Sequence, residues 1–269
     1  MKLSELRATL AAAGIEEADV EARLLFSHVT GLPASRLFGD DPATDDSALT
    51  EALARRTARE PLAYILGGAP FYRSVLAVGE GCLIPRADTE RLVEIAIREL
   101  PHGAHFADLC TGSGAIAVTV LAERPDTTAL AVDVSDKALA FAAENARRLG
   151  VTDRLTLRRL DLLGEIPDGC FDAILSNPPY IPSAVVPTLS PEVGHEPALA
   201  LDGGDDGLVF YRRLLSFRPG LRDGGFFLFE CGYDQEAAMA ALAEAHGMRH
   251  TPFYDYGKNY RGALFRKEA

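Results

Sequence analysis

Hydrophobic positions near the start of the chain recur three and four apart, and further on this gives way to short unbroken apolar runs. Leu3, Leu6 and Leu10 share one helical face, as do Val20 and Leu24, then Leu49, Ala52 and Leu53. Gly31, Pro33, Asp40, Asp41 and Pro42 fall between them, and this punctuation predicts a small helical bundle over residues 1–67. Residues 68–84 carry apolar and aromatic runs broken by glycines, which predict a β-hairpin linker between two domains. A second domain is expected over 85–269, opening with an amphipathic helix from Thr89 to Leu100 whose apolar side holds Leu92, Ala96, Ile97 and Leu100.

From about residue 104 the period changes again. AHFADL, TALAVD, RLTLRRL, FDAILS and GFFLFEC read as buried strands, with helices over roughly 113–124, 135–149, 207–217 and 234–246. Ser135 and Asp234 stand at N-cap positions and Gly247 at the glycine position after a helix end. Strand–helix alternation of this kind predicts an α/β fold, a mainly parallel sheet covered on both faces.

Composition narrows the classes. The net charge of −12 argues against a protein that grips a phosphate backbone with its whole surface. Cys82, Cys110, Cys170 and Cys231 are scattered without CxxC spacing, and the histidines show no HExxH pattern, so neither a disulfide framework nor a metal centre is expected. The start MKLSELRATL lacks the unbroken apolar stretch of a signal peptide, and no run reaches the ~20 residues that span a bilayer. These features lead to the expectation of a soluble, cytoplasmic protein.

Asp108-Leu109-Cys110-Thr111-Gly112-Ser113-Gly114 lies between the first strand of the sheet and its helix. Such a loop brings backbone amides close to a ligand. Asp133 ends the next strand, where a carboxylate can accept both hydroxyls of a ribose. Loop and acid together point to an adenosine-containing cofactor. Gly112-x-Gly114-x-x-Ala117 also fits a dinucleotide fingerprint, so an NAD-dependent enzyme stays open at this point. Asp108 favours S-adenosylmethionine, because it could accept hydrogen bonds from that cofactor's amino-acid end but would repel a pyrophosphate.

Ser176-Asn177-Pro178-Pro179-Tyr180 follows FDAILS and should open into the crevice at the strand ends. Two prolines stiffen the chain and fix the Pro178 carbonyl. That carbonyl and the Asn177 side-chain oxygen make two rigid acceptors, suited to the two in-plane hydrogens of an NH2 group. Tyr180 is expected to pack on the flat group that carries it. A planar amide or amino nitrogen held this way presents its face to a sulfonium methyl, with Asn177, Pro178 and Tyr180 as the groups carrying the chemistry.

The chain resembles the N5-glutamine methyltransferases of peptide chain release factors (HemK/PrmC type). The resemblance is carried by Glu60-Pro61-Leu62-Ala63-Tyr64-Ile65-Leu66-Gly67, Pro85-Arg86-Ala87-Asp88-Thr89-Glu90, the glycine loop and SNPPYI. It continues through Glu196-Pro197-Ala198-Leu199-Ala200-Leu201-Asp202-Gly203-Gly204, Asp206-Gly207-Leu208, and Asp255 to Arg261. SNPPY alone is shared with adenine-N6 and guanine-N2 nucleic-acid methyltransferases; PLAYILG and PRxxTE are more particular. The resemblance implies a Rossmann-like, seven-stranded class I methyltransferase domain preceded by a helical substrate-recognition domain and a hairpin. It implies release factors as partners and the glutamine of a Gly-Gly-Gln motif as substrate. Cys110, Thr111, Gly112, Ser113, Gly114 and Asp133 would contact the cofactor, with Leu162 on its adenine side. Asn177 would sit between cofactor and substrate, and Asn177, Pro178, Pro179 and Tyr180 would hold the glutamine.

Three positions depart from the pattern. Cys110 replaces a usual glycine, so its backbone is expected to avoid glycine-favoured conformations. Leu162 stands where an aromatic is common, so apolar contact should replace stacking. Asp88 replaces Glu in PRxxTE. Against the leading reading stand a nucleic-acid methyltransferase, which needs a basic stripe beside the site, a non-catalytic binding module, and the NAD enzyme.

Overall fold

The computed structural model describes residues 1–39 and 41–267; the loop position Asp40 and the end of the range to 269 lie outside the described residues. Contacts divide the chain into two compact units, Met1–Gly68 with Ser190–His195, and Ala69–Leu189 with Glu196–Ala269.

The first unit holds α1 (Leu3–Ala12), α2 (Ala18–Thr30), α3 (Ser47–Thr57) and α4 (Leu62–Leu66). Leu6, Leu10, Leu25, Phe26, Leu49 and Ile65 form its core. In α2 the buried face is Ala18, Ala22, Leu25 and Phe26, while Val20 is exposed, so this helix is rotated from the expected Val20–Leu24 stripe. Arg56 is buried in α3, where Glu21 accepts from its Nε at 2.6 Å and Glu192 from its Nη1 at 3.0 Å. The Arg59 guanidinium also donates to Glu192. These bonds bring Ser190–His195 into the first unit, where the sequence reading had a contiguous 1–67. Ion pairs between distant segments leave no periodic trace.

The second unit opens with a two-stranded hairpin, β1 (Gly68–Phe71) and β2 (Ser74–Ala77), followed by α5 (Thr89–Glu99). The strands stop at Ala77, seven residues before the expected end of the hairpin at 84. Then come β3 (His105–Leu109), α6 (Ala115–Glu123), β4 (Thr128–Asp133), α7 (Asp136–Arg148), β5 (Leu155–Arg159) and β6 (Phe171–Ser176). The chain closes with α8 (Val209–Leu215), β7 (Leu221–Glu230), α9 (Glu236–Ala245), β8 (Met248–Tyr254) and β9 (Tyr260–Lys267).

The seven-stranded sheet has the order β5-β4-β3-β6-β7-β9-β8. The first five strands pair in parallel, and β9 pairs antiparallel with both β7 and β8. Alternate strand residues feed two cores. Phe106, Ala131, Leu175 and Leu228 face Leu92, Ala96 and Val118 on one side; Ala107, Val132, Ile174 and Phe227 face Tyr211, Leu215 and Met239 on the other. Burial on both faces explains why the central strands are apolar throughout. β5, expected to be buried, is a half-exposed edge strand. Arginines, a histidine and a proline interrupt any apolar run in β8 and β9, so neither carries a strand signal in the sequence.

Ser135 caps α7, accepting from Ala138 N at 3.2 Å, and Gly247 takes the left-handed conformation after α9. Asp234 is not a cap: Gln235 occupies that position and its side chain turns elsewhere. Among the described residues no helix is long and apolar enough to cross a membrane.

Candidate active site

The chain runs outward from β3 through β4 to β5, then returns to β6 on the opposite side of β3. At such a switch point the connections leaving β3 and β6 diverge and open a crevice at the strand ends. The Ser176 hydroxyl donates to the Leu109 carbonyl, tying these two ends together. The glycine loop and the SNPPY segment therefore meet there, and they wall a cavity of about 500 Å³, a volume suited to a cofactor-sized ligand.

Cys110, Thr111, Gly112, Ser113, Asp133, Leu162, Asn177 and Pro179 all line this cavity. Asp133 is held by its neighbours: its Oδ1 accepts from Ser135 N at 2.9 Å and its Oδ2 from Gly112 N at 2.8 Å. Burial pushes its carboxyl up, opposed by those backbone N–H groups. Each oxygen keeps a second lone pair for a ligand hydroxyl. Leu160, Leu162 and Val134 supply an apolar wall beyond it.

The loop keeps its shape through unusual backbone. Gly114 has φ +78, and a Cβ there would lie 3.0 Å from the Cβ of Ala142, so a side chain would separate α6 from α7. Cys110 also has a positive φ, +64. The expectation that its backbone avoids the glycine-favoured region is overturned; the loop imposes that conformation at a cost of about 1–2 kcal/mol. Burial raises the Cys110 thiol, and raises that of Cys82 to about 12, so both stay protonated near neutrality.

Asp108, Gly114, Pro178 and Tyr180 are not in the cavity wall. Asp108 is fully buried beneath the loop, where its Oδ2 accepts from Thr111 Oγ1 at 2.5 Å and from Ala117 N at 3.1 Å. Gly114, the N-cap of α6, has no side chain to offer, and Asp108 accepts the third-residue N–H that a capping side chain would take. Burial pushes its carboxyl up to about 7. Pro178 is buried. Tyr180 packs against the core face that includes Tyr211 and Phe229, with its hydroxyl kept protonated by burial.

The SNPPY segment is clamped from behind. Ile181 N donates to Leu201 O at 2.9 Å and Gly203 N to Ile181 O at 2.8 Å, while Gln235 Nε2 donates to the Tyr180 carbonyl at 3.1 Å. Gly207 has φ +71, and any Cβ there would run into that same carbonyl. Gly203 and Gly207 allow a close approach to the SNPPY backbone, a role that the spacing of the glycines does not reveal.

The segment leaving the hairpin is the part the sequence reading missed. Gly81, Cys82, Leu83, Pro85 and Arg86 line the cavity. Glu196, almost fully buried, accepts from Ile84 N at 2.9 Å and pairs with Arg86, bracing that wall. Arg261 bridges Asp88 and Asp255, each at 3.0 Å. Thr89, the first residue of α5, accepts from Asn177 Nδ2 at 3.2 Å. PRxxTE was the one signal that marked this region. Among the described residues, no cluster of His, Cys, Asp or Glu could hold a metal ion.

Comparison with known proteins gives two family matches, the PrmC N-terminal domain over residues 2–67 and the methyltransferase small domain over 89–190. The chain is 46% identical over 245 residues to the release factor glutamine methyltransferase of Cereibacter sphaeroides, covering 89% of this chain and 87% of that one. It is 41% identical over 243 residues to the release factor glutamine methyltransferase of Caulobacter vibrioides, covering 87% and 84%. A methyltransferase structure from Pyrococcus furiosus superposes with a TM-score of 0.52 at 20% identity, over 72% of this chain and 89% of that one, a likeness of fold.

Proposed function

The chain belongs to the release factor glutamine methyltransferases, and from that premise we infer that it methylates the side-chain amide nitrogen (N5) of the glutamine in a release factor's Gly-Gly-Gln motif, using S-adenosylmethionine. The observation that carries this reading is the meeting of Asp133 and Asn177 in one cavity. A diol acceptor and an amide acceptor there suit an adenosine cofactor and an NH2-bearing substrate.

The donor set fits the cofactor. Asp133 offers two lone pairs to the ribose hydroxyls, Gly112 and Ser113 line the wall beside it, and Leu162 with Val134 offers an apolar surface to the adenine. When bound, S-adenosylmethionine supplies an electrophilic sulfonium methyl. Asn177 turns its Nδ2 onto Thr89, which leaves Oδ1, the other arm of the planar amide, to accept a hydrogen of the substrate NH2. Withdrawing that hydrogen returns electron density to a nitrogen whose lone pair is otherwise delocalised into its carbonyl. Pro178, expected to supply the second acceptor, lies outside the cavity wall with Tyr180, and both act from behind by stiffening the segment. Asp108 caps α6 and holds the loop in place from beneath. The substrate and setting this function requires place the protein in the cytoplasm.

The direct test is transfer of a labelled methyl group from S-adenosylmethionine into purified release factor, followed by mapping of the modified residue. Label on glutamine N5 supports the reading; label on added nucleic acid, with none on release factor, overturns it.

Asp133→Ala is expected to weaken S-adenosylhomocysteine binding about tenfold or more, since charge-assisted hydrogen bonds contribute roughly 1.5–3 kcal/mol each. Calorimetry measures this directly. Unchanged affinity would move the ribose contact elsewhere.

The helical unit is assigned to recognition of the protein substrate. Its helices carry no glycine loop or amide motif, yet one glutamine side chain offers far less than the ~800 Å² per partner of a specific interface. A fragment beginning at Ala69, rather than near 85, keeps Phe71 and Leu76 in the core of the second unit. It should bind S-adenosylhomocysteine with near-parental affinity and lose most methylation of intact release factor. Full activity on the intact protein would remove the recognition role.

A further inference from the structure

We propose that an arginine-lined recess on the second unit is a docking groove for an acidic segment of the protein substrate, an inference that rests on the release factor reading of the function. The recess has a volume of about 540 Å³ and is walled by α5, β8 and β9. Arg91, Ile95 and Arg98 line it from α5, at the spacing that sets residues on one helical face. Arg249 and Phe253 come from one face of β8, and Arg266 from β9, where it is paired directly with Arg249.

Four guanidinium groups thus share the recess with two carboxylates, Glu99 and Asp255, and both carboxylates are already taken. Glu99 accepts from Arg98 Nε and from Arg266 Nη2, each at 3.0 Å, and Asp255 accepts from Arg261 Nη2 at 3.0 Å. Arg91 is joined to Glu94. Arg249 is exposed and has no ion pair among the described residues. Like charges directly opposite on paired strands repel. Glu99 answers Arg266, and Arg249 is left with its charge unmatched. An arriving carboxylate relieves that repulsion and takes two parallel hydrogen bonds from the guanidinium fork. Buried Ile95 and Phe253 form an apolar floor, which strengthens such a pairing by keeping water from one side of it.

Place and size indicate the occupant. α5 begins at Thr89, whose hydroxyl accepts from Asn177, so the recess starts close to the reacting centre and runs away from it along the helix. From Arg91 to Arg98 the helix rises about 10 Å, the span of roughly three extended residues. A phosphate backbone would outrun that distance and meet a protein whose net charge is −12. A short acidic stretch, on a protein that also delivers a glutamine to Asn177, meets the arginines alone.

The test uses the full-length protein with labelled S-adenosylmethionine and intact release factor. Arg249→Glu should raise KM for release factor roughly tenfold, with kcat within about twofold of the parent and S-adenosylhomocysteine affinity unchanged. Arg249→Lys, which keeps the charge, should stay within about threefold of the parental KM. Added salt should raise the parental KM more than that of Arg249→Glu. A parental KM in Arg249→Glu, or an equal salt response in the two proteins, would overturn the groove. A hexaglutamate peptide gives a readout that needs no methylation: at low salt the parent should bind it at least about fivefold more tightly than Arg249→Glu. Equal binding overturns the docking role. An oligoribonucleotide that binds through Arg249 where hexaglutamate does not overturns the acidic occupant. Absence of glutamine methylation by the parent, with hexaglutamate binding still dependent on Arg249, would instead overturn the functional reading and leave the groove standing.

Discussion

Asn177→Ala is expected to lower glutamine methylation by roughly 10²–10³-fold, the usual cost of deleting one preorganised hydrogen-bonding group at a reacting centre. Affinity for S-adenosylhomocysteine should change only slightly, because Asp133, Gly112 and Leu162 remain in the cavity wall. The loss should appear in kcat, since the amide nitrogen needs its acceptor most as its lone pair is drawn toward the methyl group. The segment itself should hold its shape. Gln235, Leu201 and Gly203 bind its backbone, and Ser176 ties it to β3, none of them through the Asn177 side chain. Single-turnover assay alongside calorimetry separates the two effects. Turnover within a few-fold of the parent would remove Asn177 from the reaction.

Asn145→Ala should cost the fold about 3 kcal/mol, because removing the partner of buried backbone groups costs roughly 1–3 kcal/mol for each group left unsatisfied. Asn145 is fully buried in α7. Its Oδ1 accepts from Ala77 N at 2.6 Å, and its Nδ2 donates to Ala77 O at 3.0 Å and Ser113 O at 2.9 Å. One side chain thus pins the end of β2 to α7 and to the glycine loop. Truncation strands three backbone groups where water does not reach. Urea unfolding of the full chain measures the loss, and a change below about 1 kcal/mol would show that these groups find other partners. The loop beside Asp133 should loosen as well, so S-adenosylhomocysteine affinity should fall along with stability.

Some features were legible because their cause is local. FDAILS and TALAVD are buried on both faces, and that requires continuous apolar runs. The motifs at their ends follow from topology, since strand order sends both connections to one crevice. Other features were misread because a neighbour overrode local preference. The Cys110 residue reads as one that should avoid positive φ, yet the turn between β3 and α6 forces it there. Asp108 reads as a ligand contact because it precedes the glycines, but the bare N-cap Gly114 draws it inward. The stretch 78–84 reads as linker, and its part in the cavity wall depends on Glu196, more than a hundred residues away.

The sequence by itself determined the parallel core of the sheet and where along the chain the glycine loop, Asp133 and the SNPPY segment fall. Each of these is written in residues close together whose period or spacing carries the physics. The tertiary structure alone decided which side of the crevice each group occupies. It left Asp108, Gly114, Pro178 and Tyr180 out of the cavity wall, brought Gly81, Cys82, Leu83, Pro85 and Arg86 into it, and drew Ser190–His195 into the helical unit through Glu192. It also set Thr89 behind Asn177. Buried hydrogen bonds and ion pairs join whichever partners the packed sheet and helices bring within about 3 Å, and that proximity has no counterpart in the order of residues along the chain.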